Sequence, residues 1–172
     1  MIQAAVLTIS DSSFTGVRQD RSGPAVRARL EQAGWLVTVF EVLPDEAQQI
    51  SDRLRSLADE SGLDVVFTTG GTGVTARDVT PEATRAVLDR EIPGLGELMR
   101  AEGRKFTPRA VLSRATAGHR GQTLIINLPG SPGGAVESLD AIFELLPHVI
   151  NLLRGETSHP LEEKRPAGGQ RP

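Results

Sequence analysis

The sequence contains no cysteine and only three histidines, and both shortages limit the metal sites that it can build. Without cysteine there are no disulfide bonds and no thiolate ligands. His119, His148 and His159 are scattered and do not have the spacing of a zinc site. Any bound metal ion must therefore be held by oxygen atoms.

Aromatic residues, strong positive charge and long apolar runs are also scarce, which argues against several kinds of partner. Aromatic residues make up 3% of the chain, too few for a platform that stacks nucleic-acid bases. The net charge of -3 argues against non-specific nucleic-acid binding. There is no run of about 18 apolar residues to span a bilayer, and Met1 is not followed by a secretory signal. We expect a cytoplasmic protein with neither nucleic acid nor membrane as a partner.

The length and composition are those of a single globular domain. A chain of 172 residues with 38% apolar residues can bury a sizeable core, but has little room for a second domain. We expect the domain to occupy residues 1–155. Residues 156–172 are polar and rich in proline and glycine, which predicts a poorly ordered tail.

Strand-like and helix-like segments alternate along the chain, which predicts an α/β fold. Buried strands are expected at residues 3–10, 35–43, 64–69, 110–117 and 122–128. Five helices are expected, at residues 22–34, 45–59, 80–90, 93–104 and 134–154. Ser22 and Thr80 should cap the first and third of them, and Gly34 should end the first. The last two strands would form a β-hairpin, so we predict a three-layer α/β/α sandwich around a mostly parallel, mixed sheet.

The loops that follow the parallel strands should meet at one edge of this sheet. In such folds ligands bind outside the carboxyl ends of the strands. The loops contain Ser10 with Asp11, Asp45, residues 70–78 and residues 129–134. We therefore expect three acids and two glycine-rich turns to share one site.

The glycine-rich segment at residues 69–82, TGGTGVTARDVTPE, is the strongest single motif. Residues without Cβ can turn successive backbone amides toward one anion, so the glycines favour phosphate binding, although a plain tight turn is the alternative. No lysine followed by serine or threonine comes after them, which excludes a P-loop. Gly71, Gly73 and Ala76 match a dinucleotide-binding pattern, but the helix begins too late for that motif.

Asp78 and Asp45 each admit a structural and a functional interpretation. Asp78 could close an Asx-turn, and Asp45 could cap the following helix. Alternatively, both could hold Mg²⁺ against the phosphates of a nucleotide. Their expected convergence with Asp11 favours the functional interpretation.

A second turn, at residues 129–132, precedes the last long helix and could bind an anion or simply cap that helix. Basic residues that could neutralise an anion lie in nearby loops. They are Arg18, Arg21, Arg77, Arg114 and Arg120. Of these, we rank Arg77 and Arg114 highest.

Six ordered motifs resemble the molybdopterin adenylyltransferase family, of the MogA/MoaB type and related to the gephyrin G domain. The motifs are DRSGP (20–24), TTGGTG (68–73), RDVTPEAT (77–84), IPGLGELMR (92–100), LSRATAG (112–118) and LIINLPGSP (124–132). The resemblance covers about residues 4–154, and the chain departs from the pattern in its loop at residues 12–19 and in its tail.

The resemblance implies an enzyme, usually a homotrimer, that uses Mg²⁺ and ATP to adenylylate the phosphate of molybdopterin and releases pyrophosphate. It implies Asp45 and Asp78 as the acids required for the transfer, and we expect these two catalytic residues to hold the Mg²⁺. It implies a nucleotide and pterin site formed by Ser10, Asp11, Gly70, Gly71, Thr72, Gly73 and Ser131. From their places in the same loops, we add Thr69, Arg77, Pro129, Gly130 and Pro132 to this predicted site. Ser22, Gly23, Ser113 and Arg114 are weaker candidates. Any later metal insertion would need a separate partner protein.

Two alternatives stay open at this point. The chain could be a molybdopterin-binding assembly component with little catalysis, although the presence of both Asp45 and Asp78 favours an enzyme. It could also be a CinA-like nucleotide hydrolase, which the match through residues 77–84 disfavours.

Overall fold

A computed structural model of the protein describes residues 1–156, so the predicted tail lies outside the described residues except for Glu156. Within that range six strands form one sheet in the order β2-β1-β3-β6-β5-β4. The strands are β1 (Gln3–Ile9), β2 (Leu36–Leu43), β3 (Val65–Thr69), β4 (Arg90–Glu91), β5 (Ala117–Arg120) and β6 (Thr123–Leu128). β1, β2, β3 and β6 run parallel, and β5 is antiparallel to both of its neighbours.

Helices cover both faces of the sheet and give the predicted three layers. They are α1 (Asp11–Phe14), α2 (Ser22–Gln32), α3 (Ala47–Glu60), α4 (Thr80–Arg85), α5 (Pro93–Gly103), α6 (Pro132–Ile142) and α7 (Leu146–Leu153). One core packs α2, α5, α6 and α7 against the sheet, and the other packs α3 and α4 against the opposite face. Because successive side chains of a strand point to opposite faces, Val6 joins the first core while Ala5 and Leu7 join the second. The predicted fold class is confirmed.

The strand register brings the carboxyl ends of the four parallel strands to one edge. Ile9 pairs with Leu43 at the ends of β1 and β2, and Thr69 pairs with Leu128 at the ends of β3 and β6. The four loops that follow therefore emerge side by side. This edge contains the candidate site.

The predicted strand at residues 110–117 is wrong in all but its last residue. Residues 108–112 instead form a 3₁₀ helix that Thr107 caps by accepting a hydrogen bond from the Arg109 amide. Arg100 then donates to the Ser113 and Ala115 carbonyls, so a side chain takes the place of a neighbouring strand. The predicted hairpin exists, but it joins β5 to β6 through a turn at Gly121.

Two predicted helices are shorter than expected. The helix predicted at residues 134–154 is broken by a 3₁₀ turn at Phe143–Leu145, and α7 starts next to Pro147, whose nitrogen cannot donate a helical hydrogen bond. The helix from Thr80 ends at Arg85, and Arg90, where the helix was predicted to end, pairs with β5 instead. No helix within residues 1–156 is long and apolar enough to cross a membrane.

Candidate active site

Two clefts open side by side at the carboxyl edge of the sheet. The polar cleft has a volume of about 330 Å³ and is lined by Thr8, Ile9, Ser10, Ser13, Arg18, Gln19, Asp20, Arg21, Ser22, Asp45, Gly70, Gly71, Asp78, Gly130 and Pro132. The apolar cleft, of about 360 Å³, lies between α5, the 3₁₀ helix and α6. Its lining includes Met99, Arg100, Arg109, Ala110, Ser113, Pro129, Ser131 and Glu137. The turn at residues 129–132 contributes to both clefts and forms the wall between them.

The loop after β3 needs glycine because neighbouring atoms lie too close to its backbone for a side chain. Gly70 and Gly71 have positive φ angles of 102° and 63°. A Cβ at Gly70 would lie 2.2 Å from the Ile9 carbonyl oxygen, and one at Gly71 would lie 2.2 Å from Thr80 Oγ1. A Cβ at Gly130 would also come within 3.2 Å of the Gly70 Cα. The loops after β1, β3 and β6 therefore pack together with no room for side chains at these glycines.

Asp11 and Asp45 hold the loops after β1 and β2 together by reciprocal hydrogen bonds. The Asp11 amide donates to Asp45 Oδ2 at 2.8 Å, and the Asp45 amide donates to Asp11 Oδ1 at 3.0 Å. Asp45 does not cap α3, whose N-cap is Glu46 without a side-chain hydrogen bond. Burial raises the pKa of Asp45, and the negative charges of Asp11 and Asp78 add to the increase.

Arg77 is already engaged by acids of the protein itself. Its guanidinium donates to Asp11 Oδ2 at 2.7 Å and to Glu46 Oε1 at 3.0 Å. The hydrogen bond from Arg77 lowers the pKa of Asp11. Arg77 therefore ties the glycine loop to the loops after β1 and β2, and its charge is largely neutralised.

Asp78 has the local structural role that the sequence allowed, and it also lies at the polar cleft. Its Oδ2 accepts hydrogen bonds from the Thr75 amide at 2.8 Å and from Thr75 Oγ1 at 2.6 Å, which closes the predicted local turn. The residue also lines the polar cleft together with Asp45. Burial raises the pKa of Asp78, but the hydrogen bonds from Thr75 and the Gly73 amide and the charge of Arg114 outweigh it, so that the pKa is lowered. The carboxylate is thus ionised at neutral pH.

Arg114 fixes the glycine loop from its outer side. It donates to the Gly73 carbonyl at 2.6 Å and to the Asp78 carbonyl at 2.5 Å, and it also contacts the Glu82 carboxylate. These contacts occupy the Arg114 guanidinium group, which the sequence suggested as a partner for a bound anion. The geometry makes Arg114 a residue that positions the loop carrying Asp78.

Thr80 is the one buried side chain within residues 1–156 whose polar atom lacks a hydrogen-bond partner. The prediction that Thr80 caps α4 is wrong, because the N-cap is Val79 and the Thr80 hydroxyl makes no hydrogen bond. The position at which Gly71 lacks a Cβ lies 2.2 Å from Thr80 Oγ1 and 3.0 Å from Asp45 Oδ1. A buried hydroxyl and a carboxylate oxygen therefore face the same glycine at the floor of the polar cleft.

The donor set of the polar cleft fits Mg²⁺ better than a metal that needs a closed protein cage. Within residues 1–156 no group of three or more histidine, aspartate or glutamate side chains is arranged to hold a metal ion. Asp45 and Asp78 provide two carboxylates on one cleft. Mg²⁺ is commonly bound by one or two carboxylates together with substrate phosphates and water, which matches this arrangement.

The turn at residues 129–132 has the capping role that the sequence allowed. Ser131 Oγ accepts a hydrogen bond from the Gly134 amide at the start of α6. Thr69 Oγ1 donates to the Pro129 carbonyl at 2.7 Å, which joins the ends of β3 and β6. Thr69 is fully buried, so its hydroxyl serves this wall and not a ligand.

The remaining candidates differ in their contacts. Ser10 caps α1 by accepting from the Ser13 amide and also lines the polar cleft. Thr72 is buried, and its carbonyl accepts from the Arg114 amide. Gly23 packs α2 onto β1, because a Cβ there would lie 2.2 Å from Thr8 Oγ1. Ser22 lies at the polar cleft and Ser113 at the apolar cleft.

Asp20 lines the polar cleft, although the sequence did not single it out as a candidate. Its carboxylate accepts hydrogen bonds from Thr8 Oγ1 at 2.7 Å and from the Gly23 amide at 3.1 Å, so Asp20 and not Ser22 organises the start of α2. The only signal in the sequence was its place in the DRSGP motif. Its side chain fixes the far wall of the polar cleft.

Comparison with known proteins assigns the family. Residues 5–148 match the sequence profile of the family described as "Probable molybdopterin binding domain". The chain belongs to this family. Among curated relatives, molybdopterin adenylyltransferase from Helicobacter pylori is 43% identical over 156 residues, which cover 90% of this chain and 89% of that protein. Molybdopterin adenylyltransferase from Escherichia coli K12 is 42% identical over 170 residues, covering 90% of this chain and 86% of that protein.

Solved structures of molybdopterin biosynthesis proteins have the same fold. The crystal structure of the molybdopterin biosynthesis enzyme MoaB from Thermus thermophilus matches with a TM-score of 0.85 and 52% identity, over 90% of this chain and 98% of that one. The predicted family resemblance is therefore confirmed.

Proposed function

We propose that this chain is a molybdopterin adenylyltransferase of molybdenum cofactor biosynthesis that uses Mg-ATP and releases pyrophosphate. Relatives more than 40% identical over most of the chain are named for that enzyme, which supports the enzyme class and the pathway. One observation carries the detailed proposal. A polar cleft with two carboxylates and a glycine loop shares the 129–132 wall with an apolar cleft large enough for a heterocycle.

Each cleft suits one substrate. The phosphates of ATP lie in the polar cleft, where the glycine loop exposes backbone to an anion. The pterin lies in the apolar cleft, where Glu137, Arg100 and Ser113 supply a few polar groups at an otherwise apolar wall. The phosphate of the pterin substrate then reaches the polar cleft across Pro129 and Gly130.

The chemistry needs positioning more than acid-base catalysis. A phosphate oxygen of molybdopterin attacks the α-phosphorus of ATP and forms a new P–O bond. The bond from the α-phosphorus to the bridging oxygen breaks, and its electron pair leaves with pyrophosphate. The nucleophile is already anionic and needs no base, so the protein contributes alignment and charge stabilisation. The glycine loop, fixed by Arg77 and Arg114, aligns the α-phosphate.

Asp45 and Asp78 are the residues that would hold Mg²⁺. When bound, Mg²⁺ neutralises the charge that develops on the phosphate oxygens. The two loops that carry these acids are joined by Asp11 and Arg77, so the distance between the carboxylates is set by the fold.

Replacement of Asp78 by asparagine tests the proposal. We expect adenylyl transfer to fall by about 100-fold or more, since removing one group that stabilises transition-state charge costs that much. Binding of molybdopterin should change little, because the apolar cleft is untouched. Asp52→Asn, on the exposed face of α3, is the matched control.

Mass spectrometry of the wild-type protein incubated with molybdopterin and Mg-ATP is the direct readout. An adenylylated pterin is expected. Binding of molybdopterin without any adenylylated product would identify an assembly component instead. Release of ADP or AMP alone would identify a nucleotide hydrolase.

The assignment of the apolar cleft has its own test. Ala110→Trp places a large side chain in that cleft, where Ala110 is half-buried. We expect the Kd for molybdopterin to rise by at least tenfold while the Kd for ATP stays within twofold, which is about 0.4 kcal/mol. Equal loss of both ligands would contradict separate clefts.

The homotrimer, the metal-insertion partner and the cytoplasmic location expected from the sequence stay predictions.

A further inference from the structure

Two arginines of the polar cleft have no acidic partner in the part of the chain that the structure describes. Arg18 and Arg21 both line the cleft and form no ion pair within residues 1–156. Arg77 and Arg114, which the sequence favoured, bond to Asp11 and Glu82 instead. The cationic groups available to an anion in this cleft are therefore those of Arg18 and Arg21.

The neighbouring acid, Asp20, forms no ion pair with either arginine within residues 1–156. Asp20 lies between the two arginines in the chain, but its Oδ2 accepts from Thr8 Oγ1, and its Oδ1 accepts from the Gly23 amide and Ser22 Oγ. The carboxylate is thus committed to the start of α2. Asp20, Asp45 and Asp78 also line the cleft, so a polyphosphate would be held more tightly by cationic side chains in addition to the Mg²⁺ that Asp45 and Asp78 would hold.

The strand order places these arginines on one side of the glycine loop and the shared wall on the other. Arg18 and Arg21 follow β1, the glycine loop follows β3, and the turn at residues 129–132 follows β6. In the sheet β3 lies between β1 and β6. A pterin phosphate that enters over the wall therefore approaches the glycine loop from the side opposite the two arginines.

Phosphoryl-type transfer aligns the attacking oxygen and the leaving oxygen on opposite sides of the phosphorus. With the α-phosphate at the glycine loop, the leaving group must extend toward the loop after β1. We propose that Arg18 and Arg21 bind the β- and γ-phosphates of ATP and hold the pyrophosphate as it leaves. This inference rests on the proposed function, because it assumes that the attacking phosphate belongs to a pterin bound in the apolar cleft.

Guanidinium groups suit this role. Arginine stays charged at all relevant pH values and can donate two parallel hydrogen bonds to one phosphate. Both residues are exposed, so the pyrophosphate can escape once the bond to the α-phosphorus is broken.

Calorimetric titration with two probes tests the assignment. Magnesium pyrophosphate should bind the double variant Arg18→Gln/Arg21→Gln at least tenfold more weakly than wild type, whereas AMP, which has only an α-phosphate, should bind within twofold of wild type. Each single variant should show an intermediate loss for pyrophosphate. Arg55→Gln, on the exposed face of α3, should bind both probes like wild type.

Two results would overturn the assignment. One is unchanged pyrophosphate binding in the double variant, and the other is an equal loss for AMP, which would place the arginines at the α-phosphate. Arg18→Lys/Arg21→Lys should recover part of the pyrophosphate affinity, since the charge remains. If wild type forms adenylylated pterin while the double variant binds pyrophosphate normally, the inference fails and the proposed function stands. If wild type forms no adenylylated pterin, the proposed function itself fails.

Discussion

Two aspartates that exchange hydrogen bonds have pKa values shifted in opposite directions. Burial raises the pKa of Asp45, whereas the Arg77 side chain lowers that of Asp11. The Asp45 carboxylate is half-buried near the charges of Asp11 and Asp78, and such an arrangement costs stability. A cation bound at Asp45 would explain this loss of folding stability, since functional sites are often less stable than they could be.

Unfolding measured against pH should separate the two aspartates in the metal-free protein. Because the folded pKa of Asp45 is raised, its contribution to stability is present below the ordinary value of 3.8 and is lost as the pH rises through the folded pKa. Asp45→Asn should therefore increase the free energy of unfolding at pH 7 and lose that advantage near pH 3. For Asp11 the sign reverses, because its contribution is present above 3.8 and is lost as the pH falls through its lowered pKa.

Asp11→Asn is accordingly expected to destabilise the protein at pH 7, with a difference that shrinks in acid. Urea denaturation at several pH values measures both effects. A destabilising Asp45→Asn at pH 7 would show that its hydrogen bond to the Asp11 amide outweighs its burial.

Gly71 and Gly62 offer a matched pair for testing the glycine loop. Both have positive φ, 63° and 64°, but a Cβ at Gly62 meets nothing within 4 Å, whereas one at Gly71 meets Thr80 Oγ1. Gly62→Ala should cost about 1 kcal/mol of stability for the left-handed backbone alone. Gly71→Ala should cost about 3 kcal/mol or more, because overpacking adds to that strain. Equal losses in chemical denaturation would show that Thr80 moves aside freely.

At the scale of elements, α4 is held to the sheet by a buried polar cluster. Asn127 on β6 donates to Thr68 Oγ1 on β3 at 2.9 Å and to Thr84 Oγ1 on α4 at 2.8 Å. All three side chains are fully buried. Since α4 begins at Thr80, two residues after Asp78, this cluster helps to fix the position of the glycine loop.

Asn127→Ala should lower the free energy of unfolding by about 2–4 kcal/mol, because it leaves two buried hydroxyls without a donor. Thermal and urea unfolding measure the loss. Asn151→Ala, on the exposed surface of α7, is the control and should change stability by less than about 0.5 kcal/mol. A loss at Asn127 no larger than at Asn151 would mean that water or rotated hydroxyls replace the bonds.

At the scale of the whole molecule, one segment carries three large apolar side chains that are exposed to solvent. Phe106, Val111 and Leu112, in and before the 3₁₀ helix, are 65%, 51% and 56% exposed. Clustered apolar side chains on a surface commonly mark contacts with another protein. The homotrimer expected from the family resemblance would give this segment a partner.

Light scattering should therefore give a particle of three copies of the 18.4 kDa chain. The double variant Val111→Asp/Leu112→Asp should dissociate it, because burying two charges at an interface is costly. Val17→Asp changes an apolar residue that is 83% exposed elsewhere and should leave the assembly intact. A trimer that survives the double substitution would place the interface on another surface.

The sequence by itself determined the fold class, the family and the edge of the sheet where the site lies. Those features depend on local patterns: apolar runs give the strands, glycines give the loop, and parallel strands end at one edge. Asp11, Asp45 and Asp78 could be selected from the sequence because each follows a predicted strand or glycine loop. The strand at residues 110–117 failed because apolar residues alone do not show whether a neighbouring strand or, as here, Arg100 satisfies the backbone.

Only the tertiary structure decided which charged groups are free. Arg77 and Arg114 stand beside the glycine loop in the sequence, yet Asp11 and Glu82 occupy them in the folded protein. Among the described residues 1–156, Arg18 and Arg21 line the polar cleft without an ion pair, and the Asp20 carboxylate between them accepts hydrogen bonds at the start of α2. Charge pairing depends on distances between residues far apart in the chain, and those distances exist only after the sheet has brought the loops together.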